Sequence, residues 1–219
     1  MIRHKESVSR RSLLKGALRV GLASLAVPLA GAVSAQPAAE RWDFAAKGIE
    51  GWTSVDGRWA VEDMAGASGG SRVLVQRELK NTFNVIVAPL GPYTDVDVSM
   101  KFRPISGRED ASGGIVFRFA DGKYYLIRAN ALEDNFRFYY YDGGRRMLAS
   151  ASVKAPALGQ WHTVRAVAAG DRVQGWLDGA LLLEHRDQRF RAGRVGLWTK
   201  ADSITAFDDV IVRGTRTAG

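Results

Sequence analysis

From Arg41 onward the chain is cut into short runs of β-branched and aromatic residues by turn sequences that tolerate positive φ. These are Asp121-Gly122, Asp142-Gly143-Gly144, Gly170-Asp171 and Asp178-Gly179. No segment beyond the first 35 residues holds a period of 3.6. The runs predict strands over 59–63, 72–77, 82–87, 95–103, 114–119, 124–129, 136–141, 147–152, 161–168, 172–177, 181–185, 194–200 and 206–212. Short strands at this spacing make an all-β antiparallel sandwich.

Period-2 alternation sorts the faces. In Asp95 to Phe102, Val96, Val98, Met100 and Phe102 turn inward while Asp97, Ser99 and Lys101 turn to water. If Asp121-Gly122 is a two-residue turn, Phe119 lies opposite Tyr124, Phe117 opposite Leu126 and Ile115 opposite Arg128, all on a core face. The other face then pairs Val116 with Ile127 and Arg118 with Tyr125, and it is half exposed. Arg128 falls on the core face, which either puts it at the sandwich end or marks a slip in this register. Tyr139 and Tyr141 share a face with Arg137, and Trp176 faces out if Val173, Gly175 and Leu177 face in.

The first 35 residues read differently. Ser9-Arg10-Arg11-Ser12-Leu13-Leu14-Lys15, an apolar stretch and Val33-Ser34-Ala35 form a twin-arginine export address with cleavage expected near Ala35. The apolar stretch is too short and too broken by Gly and Pro28 to span a bilayer. The expected product is therefore a periplasmic or secreted domain, exported folded by the twin-arginine machinery, with no stable membrane insertion after cleavage. Residues 36–40 read as a linker, 41–213 as one sandwich domain and 214–219 as a tail. The formal charge of +8 is concentrated in the leader, which holds six Lys/Arg and one Glu. The remainder is nearly balanced, so a nucleic-acid partner is not expected. Without cysteine there is neither a disulfide framework nor a thiolate metal site. Only His162 and His185 follow the leader, so a zinc site would need both together with carboxylates, and His162, after Trp161 at a strand start, reads as structural.

Gly159-Gln160-Trp161-His162-Thr163-Val164, Trp176-Leu177-Asp178-Gly179, Gly193-Arg194-Val195-Gly196-Leu197-Trp198 and Phe207-Asp208-Asp209-Val210 resemble the closing strands of concanavalin A-like lectin/glucanase domains. Upstream, Gly113-Gly114-Ile115-Val116-Phe117-Arg118, Tyr124-Tyr125 and Leu132-Glu133-Asp134-Asn135-Phe136 resemble the exported bacterial branch related to laminin G-like and 3-keto-disaccharide hydrolase-like domains. The resemblance implies a jelly-roll sandwich with a convex and a concave sheet, and sugars as ligands.

That resemblance leaves the activity open. None of the eight Glu residues begins the Glu-x-Asp-x-x-Glu pattern of the glucanase branch. Where hydrolase-like relatives carry a Tyr-Glu strand, this chain has Tyr124-Tyr125-Leu126-Ile127-Arg128, without the acid. Glu133, Asp134 and Asp202 are the remaining candidates for an acid or base. Gly66-Ala67-Ser68-Gly69-Gly70 matches a nucleophile elbow only in letters, because it lies in a Gly-rich loop. No cofactor is expected. Calcium is the one ion the resemblance leaves open, through Asp202, Asp208 and Asp209. A carbohydrate ligand needs a flat ring to stack on and polar groups for its hydroxyls. Arg118, Tyr125, Arg128, Asn130, Tyr139, Trp176 and Lys200 are the expected ligand-binding residues. The leading expectation is a glycan-binding domain using its concave sheet. Hydrolysis of a modified (3-keto) disaccharide and a purely structural accessory role are the alternatives.

Overall fold

The computed structural model describes residues 39–68, 70–79 and 83–217. The expected leader, most of the expected linker and Thr82 lie outside the described residues. Fifteen strands and no α-helix occur among those described. They are β1 (Glu40–Trp42), β2 (Thr53–Asp56), β3 (Trp59–Asp63), β4 (Arg72–Gln76), β5 (Phe83–Val87), β6 (Tyr93–Ser106), β7 (Ser112–Ala120), β8 (Lys123–Asn130), β9 (Glu133–Tyr141), β10 (Arg145–Ser152), β11 (His162–Ala169), β12 (Arg172–Leu177), β13 (Ala180–Arg186), β14 (Arg194–Lys200) and β15 (Ile204–Arg216). The first sheet runs β13-β12-β11-β6-β15-β4-β3, with β1 also on β15. The second runs β10-β9-β8-β7-β14-β5-β2, and the pairings are antiparallel.

Every expected run is a strand, because alternation and turn chemistry act locally. Asp121 (φ 49°) with Gly122 (φ 75°), and Asp178 (φ 49°) with Gly179 (φ 83°), both hold the two positive φ values of a hairpin turn whose twist matches its strands. The short β1 and β2 were not foreseen: three and four residues in polar surroundings carry no readable period. β15 continues past Arg213 to Arg216 by pairing with the start of β6, so the expected tail begins inside a strand.

The sheets pack through Val96, Val98, Met100 and Phe102 of β6 and Val164, Ala166 and Ala168 of β11 on one side. Ile115, Phe117, Tyr125, Ile127, Phe136, Phe138 and Leu197 face them from the other. β6 alternates as expected. The β7–β8 register does not. Ala120 lies opposite Lys123, but a bulge follows, and the pairs are Phe117–Tyr125, Val116–Leu126, Ile115–Ile127 and Gly114–Arg128. Arg118 sits in the bulge at φ 51°. One extra residue on β7 exchanges the faces of β8 relative to expectation. Tyr125 and Ile127 enter the core, whereas Tyr124, Leu126 and Arg128 lie on the opposite face.

The sheets approach closely at Gly113, where an added Cβ would stand 2.5 Å from the Phe102 ring. Gly113→Ala is expected to lower unfolding free energy by about 1–3 kcal/mol through overpacking, read as a lower urea midpoint at unchanged slope. An unshifted midpoint would show that the core gives way there at no cost.

Candidate functional site

The outer face of the second sheet carries its own buried cluster. Val85, Val87, Val116, Phe119, Tyr124, Leu126, Tyr139 and Trp198 pack there without any side chain from the first sheet. Curvature explains this. β9 and β5 are four strands apart in the sheet, about 19 Å if it were flat. Yet the rings of Tyr141, at the end of β9, and Phe83, at the start of β5, are 5.7 Å apart. The sheet curls toward this face and is concave on it. Tyr124 stacks on Tyr141 (5.0 Å, 10°) and on Phe119 (6.0 Å, 19°), while Phe83 stacks on Trp198 (5.7 Å, 29°). Burial pushes the Tyr124 phenol above its ordinary pKa, so it stays neutral. Beside these rings lies a hollow of about 560 Å³ lined by Phe83, Val85, Phe119, Tyr124, Tyr141, Lys200, Val55, Asp56 and Gly122.

A polar cluster extends along the same face. Arg128, only 2% exposed, donates through Nη2 to Glu133 Oε2 (2.8 Å) and Tyr139 Oη (3.3 Å) and through Nη1 to Asn135 Oδ1 (2.9 Å). Asn135 Nδ2 and Arg137 Nη1 also donate to Glu133 Oε2, at 2.9 and 3.4 Å. Burial pushes the Glu133 carboxyl up, but the bonds from Arg128 and Asn135 and the two guanidinium charges outweigh it and hold its pKa below the ordinary range. The guanidinium of Arg145 lies over three rings, 4.5 Å from Tyr139, 5.1 Å from Phe83 and 5.6 Å from Trp198. Asp110 is buried beneath the edge of the cluster, accepting from Ser203 Oγ at 3.0 Å. Desolvation there raises its pKa despite Ser112, Ser203, Arg128 and Lys200.

The structure brings together Arg128, Tyr139, Lys200 and Glu133 from the expected set. Asn130 lies at the end of the face, its Oδ1 accepting from Ala111 N (3.2 Å) and Leu132 N (3.0 Å). Two expectations need correction. Tyr125 is in the core, its hydroxyl bonded to Asp187 and to Phe190 N. Arg118 is buried at the sandwich end, donating to the carbonyls of Thr94, Gly170 and Phe190, so the half-exposed Arg118–Tyr125 pair does not exist. Trp176 does face outward, but on the first sheet, beneath the Arg165 guanidinium at 4.7 Å. Asp134 accepts from Ala155 N at 3.1 Å.

The three aspartates considered for calcium stand in separate contacts. Asp202 accepts from the backbone of Arg108 (2.7 Å), Glu109 (3.0 Å) and Asp110 (3.1 Å), Asp208 from Ser68, and Asp209 pairs with Arg41 and Lys101. Among the described residues no group of three or more His, Cys, Asp or Glu is placed to hold a metal ion. Phe83, Tyr124, Asp110 and Arg145 were missed. Tyr124 was hidden by the register, and Arg145 sits directly after the Gly143-Gly144 turn, two residues before the strand start the sequence indicated.

Residues 42–213 match the model of the 3-keto-alpha-glucoside-1,2-lyase-like domain. The chain belongs to that family. It is also 27% identical over 169 residues to the levanase of Bacillus subtilis (strain 168), covering 74% of this chain and 22% of the levanase. It therefore spans about a fifth of that enzyme's length. Among solved structures, the carbohydrate binding module CBM66 from Bacillus subtilis superposes with TM-score 0.65 at 22% identity, over 76% of this chain and 97% of the module. A Bacillus subtilis protein with a galectin-like fold gives 0.63 at 12% identity, over 83% and 99%. These likenesses place the fold among the concanavalin A-like jelly-roll sandwiches.

Asp202 closes the 108–110 loop beside Lys200. Burial raises its pKa, but the three backbone N–H groups prevail and hold it below the ordinary range. Its contribution is thus fully present above about pH 4, its unfolded value, and is lost as pH falls through the lower folded value. Asp202→Asn should destabilise the protein near neutrality, with the gap to wild type closing in strongly acid urea titrations. A gap independent of pH would refute the charged role.

Proposed function

We propose that this chain is a carbohydrate-binding domain that holds a glycan on the concave face of its second sheet. The observation that carries the reading is a hollow large enough for one or two sugar rings, walled by ring edges with Lys200 and Asp56 in its lining, on the same curled face as a cluster of hydrogen-bonding side chains. Tyr141 and Phe83 offer apolar surface to a pyranose or furanose face. Glu133, Asn135, Arg137 and Lys200 offer both acceptors and donors to its hydroxyls. The family membership and the likeness to a carbohydrate binding module support the same reading.

Binding is favoured over cleavage by the commitments of the acids foreseen for catalysis. Glu133 is engaged by Arg128 and Asn135, Asp134 by a backbone N–H, and Asp202 by three. Tyr141→Ala is expected to weaken glycan binding by about tenfold or more, with Trp176→Ala, on the other sheet, leaving it unchanged. A glycan array on the full chain followed by titration calorimetry measures both. Weakening by Trp176→Ala alone would move the site to the first sheet.

The location belongs to the same proposal. Export by the twin-arginine route, with release as a free domain, rests on Arg10-Arg11 and the Val33-Ser34-Ala35 cleavage site. No helix among the described residues is long and apolar enough to cross a membrane. Replacing Arg10 and Arg11 by Lys should leave precursor in the cytoplasm in a fractionation experiment. Unimpaired export of that variant would refute the assignment.

A further inference from the structure

Several arginines elsewhere on this protein meet carboxylates of their own, whereas others, such as Arg103 on the Ala65 carbonyl and Arg194 over the Phe119 ring, have no ion pair among the described residues. Arg77 pairs with Glu62, Arg165 with Asp97, Arg172 with Glu184, Arg186 with Asp171 and Arg216 with Glu40. On the concave face three guanidinium groups are gathered around Tyr139. Arg128 and Arg137 share a single carboxylate, Glu133, and Arg145 has no carboxylate partner among the described residues. Each of these three arginines also has one buried N–H nitrogen without a hydrogen-bond partner: Nε of Arg128, Nε of Arg137 and Nη1 of Arg145.

The other charges nearby do not restore the balance. Lys200 has Glu109 only at 3.5 Å, and Asp56 stands at the rim of the hollow. Asp110 is buried and accepts from Ser203 Oγ, with no ion pair to any of the three arginines. Three guanidinium groups therefore face one carboxylate across Tyr139.

Arg145 shows how the surplus is held. Its guanidinium carbon stands over aromatic rings, which stabilise a cation through their faces, while no hydrogen bond to the described residues spends its N–H groups. A guanidinium so placed is preorganised for a planar, bidentate anion. A neutral sugar would offer hydroxyls to these donors and leave the charge uncompensated.

We infer that the saccharide taken by this face is acidic, a uronic acid-bearing oligosaccharide whose carboxylate is received by Arg145 and Arg137 while its ring lies against Tyr141. This rests on the reading of the face as a glycan site, and the test separates the two. Titration calorimetry on the full chain would compare oligogalacturonate, oligoglucuronate and oligomannuronate with their methyl esters, which keep the ring and remove the charge. Sulfated galactan and neutral fructan would be run alongside.

At least one uronate should bind about tenfold tighter than its ester, with the advantage shrinking as salt is raised. Arg145→Gln should abolish that advantage, and Arg145→Lys, which keeps charge without the fork, should restore only part of it. Esters or neutral fructan binding as tightly as the uronates, with Tyr141→Ala weakening all of them, would overturn the acidic-sugar inference and leave the glycan face standing. Tighter binding of the sulfated galactan than of any uronate would overturn the carboxylate assignment. An advantage undiminished in Arg145→Gln would overturn the role of Arg145. Binding of none of the panel would overturn both this inference and the glycan reading.

Discussion

Arg118 holds the arrangement on which the rest depends. Its guanidinium is buried and makes four hydrogen bonds to three main-chain carbonyls: to Thr94 at 3.1 and 2.8 Å, to Gly170 at 2.7 Å and to Phe190 at 3.0 Å. A desolvated cation is tolerated only when its donors are spent in this way. Desolvation lowers its pKa even so. To reach those carbonyls the backbone takes φ 51° and adds a residue to β7. That single insertion decides which side of β8 meets the first sheet. Tyr125 is carried into the core, and Tyr124 and Arg128 are carried onto the concave face.

The concave face must bury large side chains under itself and still offer a surface. Glycines make room for this. At Gly114 a Cβ would stand 2.9 Å from the Cβ of Arg128 and 2.8 Å from Leu126, so the missing side chain leaves room for both. At Gly196 a Cβ would approach the carbonyl of Ile86 to 2.3 Å, closing the β14–β5 pairing. Curling then brings Phe83 over to Tyr141, and the rings wall the hollow instead of filling it.

The sandwich was legible in the sequence because alternation and Asp-Gly turns are local, and each hairpin carries its own instructions. The pairing of β7 with β8 was not legible. A positive φ at an arginine has no local cause here; its cause is three carbonyls contributed by residues 94, 170 and 190. The misplacement of Arg128 in the expected register was the visible symptom, since a guanidinium does not belong on a core face. The site was partly legible. Arg137, Tyr139 and Tyr141 fall on one face by alternation alone, whereas Phe83 and Trp198 meet them only through curvature, which no period encodes.

The two outer faces show that residue type does not decide function. Trp176 on the first sheet is an outward indole with an arginine beside it, the composition expected of a sugar platform. There Arg165 covers the ring at 4.7 Å and gives its own N–H groups to both oxygens of Asp97 at 2.7 Å. Ring, cation and carboxylate satisfy one another, and little is left for a ligand to gain. On the second sheet Arg145 covers Tyr139 at a similar 4.5 Å, but no carboxylate of the described chain completes the set. The difference lies in the unspent hydrogen-bonding and charge, and the proposed glycan site rests on that difference.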